Sequence, residues 1–217
     1  MTTSRAAAEF VRANTTVGAP PLVPEVRVHL AEDAIALWEA TERECGRSGL
    51  PPPFWAFAWA GGQALARYVL DHPELVRGRR VLDLASGCGL VAVAAALVGA
   101  AEVTANDVDT WAEAAIGLNA EVNGVSVRVV LADVLGGDAG GAQVVLAGDV
   151  FYDRAMAARV LPFLERARAA GAEVVVGDPG RAHLPRDRFV EVARYGVPVP
   201  RDLEGVDVKP TRVLRLP

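Results

Sequence analysis

From Arg80 onward the chain alternates short apolar runs with helical patterns, and this leaves few folds open. Val81–Leu84 reads as a buried strand and Leu90–Val98 as a helix apolar on most faces. Further strands are expected at Glu102–Ala105, Val127–Leu131, Gln143–Ala147 and Glu173–Val176, with helices over Thr110–Asn123 and Ala155–Ala170. Phe189–Val197 and Thr211–Leu216 are short strand candidates near the end. Strands that stay apolar on both faces belong to a parallel sheet covered by helices on each side. The fold class is therefore α/β.

The composition agrees. With 52% apolar and 23% charged residues over 217 positions, the chain can bury a real core. That excludes a disordered tail, a coiled coil and a disulfide-stapled miniprotein. A formal charge of −5 gives no general attraction to nucleic acid or to an anionic membrane. Cys45 and Cys88 cannot form a disulfide framework, and without a CxxC pattern structural zinc has no support. His29, His72 and His183 are scattered, so no metal is expected. Ala6–Ala8 is broken at once by Glu9 and Arg12, which does not make a leader's apolar core. The longest apolar run, Leu90 to Ala101, is too short to span a bilayer. The expected setting is the reducing cytoplasm.

Upstream of the alternating region, residues 1–24 hold no periodic pattern and are expected to form a loose arm ending at Pro24. Residues 25–72 read as a strand–helix extension to a core over 79–217, the whole of 25–217 forming one domain. Glu25–Leu30 alternates as a half-buried strand, and Ala31–Cys45 is a helix ended by Gly46. Phe54, Trp55, Phe57 and Trp59 then crowd ahead of Gly61–Gly62 and a helix over Gln63–Leu70. Core packing is expected for Phe54 and Phe57.

The strongest local motif is Val81-Leu-Asp-Leu-Ala-Ser-Gly-Cys-Gly89. A strand that runs into glycines and then a helix lets backbone approach a ligand, with helix amides free to bind it. Gly87-Cys-Gly89-Leu-Val-Ala92 fits GxGxxA and Asp107 lies 20 residues past Gly87, so a dinucleotide reader is one possibility. The acids argue otherwise. Asp83, Asp107, Asp133 and Asp149 stand at four successive strand ends, and a pyrophosphate would be repelled there. A ligand with ribose hydroxyls, an adenine amino group and a cationic amino-acid end suits such a row, and S-adenosylmethionine has all three. No second domain of useful size remains for a hydride substrate.

Val81–Gly89 resembles motif I of the seven-strand, class I methyltransferases, with the departure that Ala85 stands where the family often has glycine. The resemblance implies that Asp83, Ala85, Ser86, Gly87 and Gly89 form the cofactor loop. It also implies that Asp107 takes the ribose hydroxyls and Asp133 the adenine edge. Pro53-Phe-Trp-Ala-Phe-Ala-Trp59, Gly61-Gly-Gln-Ala-Leu-Ala-Arg67-Tyr68, Gly148-Asp-Val-Phe-Tyr-Asp153 and Gly177-Asp-Pro-Gly-Arg181 are together similar to the electron-transfer-flavoprotein β-subunit lysine methyltransferases. Four blocks in family order imply a protein-lysine N-methyltransferase acting on a protein such as that subunit; the chain is expected to work as a monomer. They place Trp59 over the cofactor's methionine end. Asp149 and Tyr152 are the expected catalytic pair, Asp149 also touching cofactor.

The chemistry asks for such a pair. A lysine amine must be neutral to attack, against a solution pKa of about 10.4. Asp149 is placed to accept hydrogen bonds from the nitrogen, and Tyr152 to pack on the cationic centre. Trp111 either flanks the adenine or fills the core. Arg181 either grips an acidic protein surface or salt-bridges a neighbouring loop. A small-molecule N-methyltransferase is the second reading, an NAD-dependent oxidoreductase or a silent nucleotide-binding module the third. The expected architecture is a Rossmann-like seven-stranded, mostly parallel sheet with helices on both faces.

Overall fold

A computed structural model of the chain describes residues 4–217. Its elements run α1 (Ser4–Asn14), β1 (Thr16–Gly18), β2 (Val28–Leu30), α2 (Ala34–Cys45), α3 (Ala60–Asp71), β3 (Arg80–Leu84), α4 (Leu90–Leu97) and β4 (Glu102–Asp107). They continue with α5 (Thr110–Val122), β5 (Arg128–Leu131), β6 (Val144–Gly148), α6 (Arg154–Ala169), β7 (Glu173–Asp178), β8 (Val190–Pro198), α7 (Arg201–Glu204) and β9 (Val208–Arg215). β3 to β9 form one seven-stranded sheet in the order β5-β4-β3-β6-β7-β9-β8. All its pairings are parallel except β7–β9 and β8–β9.

Alternate side chains of each strand feed opposite layers, as a sheet covered on both faces requires. Val81, Val144, Leu146 and Val175 join a core with α3, α4 and α5, while Leu82, Val145, Ala147 and Val174 join Val160, Phe163 and Leu164 of α6. The strand order reverses between β3 and β6, and a doubly wound sheet binds ligands beyond the carboxyl ends of its strands at such a point. The loop after β3 and Asp149 after β6 both stand there.

The N-terminal expectation is corrected for its described part; Met1–Thr3 lie outside the described residues. Ser4–Asn14 is a helix that buries Ala7 and Val11, and the ring of Phe10 lies 4.4 Å from that of Trp111. Thr16–Gly18 pairs antiparallel with Val28–Leu30. β2 is shorter than Glu25–Leu30 because the Arg27 backbone is held by the side chain of Asn123 rather than by a ladder. Asn119 on α5 accepts from the His29 N–H and donates to the Cys88 carbonyl, tying this N-terminal unit to the loop after β3.

Candidate active site

Helix α3 begins with a glycine pair, against helix propensity, and packing explains it. A Cβ on Gly61 would sit 2.3 Å from the Gly177 carbonyl oxygen and 2.5 Å from Asp149 Oδ2. One on Gly177 would meet the Gly61 carbonyl at 2.0 Å, and one on Gly148 the Gly62 backbone at 2.9 Å. Backbone therefore lies on backbone where α3 crosses the ends of β6 and β7. The Gly62 N–H reaches Asp149 Oδ2 at 3.1 Å.

The loop after β3 is organised around Asp83, buried to 1% exposure. Its Oδ2 accepts from Ser86 Oγ at 2.5 Å and from the Ala92 N–H at 3.0 Å, so it fixes the loop from beneath. Burial pushes its carboxyl up to about 7, against the opposing effect of those two donors. Asp107, half-exposed at the end of β4, accepts from the Gly87 N–H at 2.9 Å and from the Val108 and Asp109 N–H groups. Gly87 and Gly89 have positive φ, and Gly89 faces Ile116 closely enough that a Cβ would crowd it. Ala85 sits at φ 52° without being glycine, and so does Asp149 at φ 57°. Left-handed backbone costs a residue with a Cβ about 1–2 kcal/mol, and strain of this kind collects at functional sites. Both residues directly follow the adjacent strands β3 and β6.

Asp149 is 8% exposed. Arg181 donates to its Oδ1 twice, through Nε at 2.9 Å and Nη2 at 2.6 Å. Burial raises its carboxyl to about 6, with Asp178 adding to the rise and Arg181 and the Gly62 N–H working against it. Asp178 is fully buried; its Oδ1 accepts from the Gly180 and Arg181 N–H groups while its Oδ2 has no partner. Arg181 thus salt-bridges rather than facing free solvent. It also bonds Glu204 and lies 5.8 Å over the Trp59 ring.

One narrow cleft is lined by Trp59, Gly62, Asp83, Ala85, Ser86, Gly87 and Asp149, joining both strand ends. Asp107 borders it through Gly87. Asp133 stands apart: exposed, with Arg159 Nη2 donating to Oδ1 at 2.9 Å and to Oδ2 at 2.7 Å. Tyr152 is 46% exposed with its ring 5.4 Å from Phe54, so Phe54, at 38% exposure, joins the mouth of the site instead of the core. Phe57 is buried as expected, and Trp111 is a core residue stacked on Trp55. Burial raises the Cys88 thiol to about 11, which keeps it protonated at neutral pH.

This sheet order, with a glycine loop and strand-end acids at its switch point, fits a class I methyltransferase, and the comparisons with known proteins show that class. The model of the ribosomal protein L11 methyltransferase family matches residues 64–149. The electron transfer flavoprotein beta subunit lysine methyltransferase of Xenopus laevis is 40% identical over 177 residues, covering 81% of this chain and 71% of the relative. Its Homo sapiens counterpart is 38% identical over 198 residues, covering 87% of this chain and 73% of the relative. Among solved structures, a Pyrococcus abyssi tRNA (uracil-54, C5)-methyltransferase with bound S-adenosyl-L-homocysteine shares the fold, with a TM-score of 0.54 and 20% identity over 75% of this chain and 39% of that one. The chain belongs to the electron transfer flavoprotein beta subunit lysine methyltransferase family.

Proposed function

We propose that the enzyme methylates lysine ε-amines of a protein, with the β-subunit of electron transfer flavoprotein as its acceptor and S-adenosylmethionine as donor. The observation that carries this is the state of Asp149. Its Oδ1 is filled by two Arg181 donors and its Oδ2 holds one N–H, so a single acceptor position remains, on Oδ2. One such position suits one N–H of an incoming amine.

The residues present suit the donor. Asp107, half-exposed beside the glycine turn, has its Oδ1 filled by the Val108 and Asp109 N–H groups and keeps one acceptor position on Oδ2, which fits a ribose hydroxyl and disfavours phosphate. Asp107 and the Ser86–Gly89 loop would hold the nucleoside, and Trp59 would lie near the methionine end. The adenine-edge role of Asp133 would need its carboxylate to be shared with Arg159. When bound, S-adenosylmethionine supplies an electrophilic methyl group on a sulfonium sulfur. Asp149 would hold the amine by one hydrogen bond and aim its lone pair, and alignment of this kind is most of what such a transfer requires. Because an anion raises the pKa of a neighbouring ammonium, the proton must leave to solvent before attack. Tyr152, Phe54 and Trp59 would wall the lysine stem from water. The same reading takes the enzyme to be cytoplasmic, in keeping with an unpaired, exposed Cys45.

The test is transfer of radiolabelled methyl from S-adenosylmethionine into purified electron transfer flavoprotein and into a cell extract. Label in the β-subunit band, mapped by mass to lysine, is expected. Label confined to small molecules would move the enzyme to another amine class. No label, with heat stabilisation by NAD instead, would overturn the methyl-donor reading.

A further inference from the structure

The buried end of β6 is the terminus of a chain of alternating charges. Asp149 bonds Arg181, Arg181 bonds Glu204, and Glu204 bonds Lys209. Four elements contribute: the end of β6, the loop after β7, helix α7 and strand β9. The side chains of Arg181 and Glu204 are mostly buried, and Glu204 meets Arg181 through both of its oxygens, at 2.7 and 3.1 Å. The Asp178 carboxylate holds the Arg181 N–H at 2.7 Å, and the guanidinium lies over the Trp59 ring. Arg181 is thus fixed through its backbone, its two ends and its flat face.

We propose that Arg181, braced by Glu204, is a positioning residue that holds Asp149 oriented as an anion for the acceptor amine. This rests on the methyl-transfer reading above. Asp83, at the end of β3, lines the same cleft as Asp149. Asp178 on β7 opposes the ionisation of Asp149 and Arg181 favours it, while the Gly62 N–H on α3 adds a hydrogen bond. Arg212 on β9 acts on Asp178, and Lys209 on β9 acts on Glu204. Among these, Arg181 is the cation bonded to Asp149. Burial works against the charge on Arg181, but Glu204 and Asp149 outweigh it and keep the guanidinium protonated. A full Oδ1 also decides which oxygen receives the amine. The acceptor must come to Oδ2, on the side of the Gly62 amide.

Two readouts test this on the intact chain. In the first, Asp149 is titrated by carboxyl 13C NMR, its resonance identified by its loss in Asp149→Asn; this needs no acceptor. In Arg181→Met the midpoint should rise by about 1 pH unit or more, with Arg181→Lys in between. In the second, methyl transfer to the flavoprotein subunit is followed against pH. Arg181→Met should lose roughly 10- to 100-fold in kcat, the scale of removing a group that positions another. Its acid limb should move upward and its affinity for S-adenosylmethionine should stay within about 3-fold. Glu204→Gln should lose kcat without an upward move, since it removes a brace and not the partner cation.

An unmoved Asp149 midpoint in folded Arg181→Met, or equal losses of cofactor affinity and kcat, would overturn the inference. If wild-type enzyme labels no protein while the Asp149 midpoint still moves, the substrate reading fails and the role of Arg181 in holding Asp149 stands.

Discussion

The two strand ends that meet at the switch point hold their carboxylates in opposite ways. After β3, Asp83 is bound by the Ser86 hydroxyl and the Ala92 N–H, and after β4 Asp107 is bound by its neighbours' N–H groups and, 20 residues back, by that of Gly87. After β6, Asp149 is bound by a guanidinium 32 residues further on and by the first turn of a helix 87 residues back. Neutral donors fix a carboxylate without cancelling its charge, which suits the recognition of hydroxyls. A guanidinium balances the charge, which lets a buried acid stay ionised where an ammonium must be met. One side holds its acids with neutral donors, the other with a charged one.

The largest expected effect breaks the two ends apart. Asp149→Asn should lower kcat by roughly 10²-fold or more, with cofactor affinity within a few-fold. Asp107→Ala should weaken cofactor binding first, and titration calorimetry with steady-state kinetics would show the split. Equal losses of both quantities in either variant would erase the distinction.

The middle effect concerns Asp83 and stability. Its carboxyl titrates near 7 when folded and near 3.8 when unfolded, so between those pH values the folded chain binds the extra proton. Its contribution is therefore full below about 4 and is lost as pH rises through about 7. Chemical denaturation from pH 4.5 to 8 should show a smaller loss of stability with rising pH in Asp83→Asn than in wild type. Identical pH slopes would count against the burial argument. The smallest effect is local: Ala85→Gly should relieve the left-handed strain and raise stability by up to about 1 kcal/mol, read as a small rise in Tm.

The same contrast explains what could be read from the sequence. Every strand of the large sheet was legible to within a few residues, because apolar runs such as Val144–Ala147 need no partner to announce themselves. The loop after β3 was legible because Asp83, Ser86 and Gly87 lie together in the chain. Helix α1 was not, since only Ala7, Phe10 and Val11 mark its inner face among alanines and polar residues. The Arg181–Asp149 pair was not either. Asp178-Pro-Gly-Arg181 reads as a turn, and only the β7–β9 pairing and α7 bring Glu204 to its far side. Phe54 escaped because an aromatic at a site mouth has the same sequence pattern as one in a core.

The glycine seam under Asp149 has a consequence for redesign. Gly61, Gly148 and Gly177 pack main chain on main chain beneath Asp149, and Gly62 and Gly148 bring that seam to the cleft, where main chain offers nothing to trim. An engineer seeking room for a bulkier amine would gain none on that side. Space is to be sought instead at the side chains of the mouth, by shortening Trp59, Phe54 or Tyr152, which leaves the Glu204 brace on α7 intact.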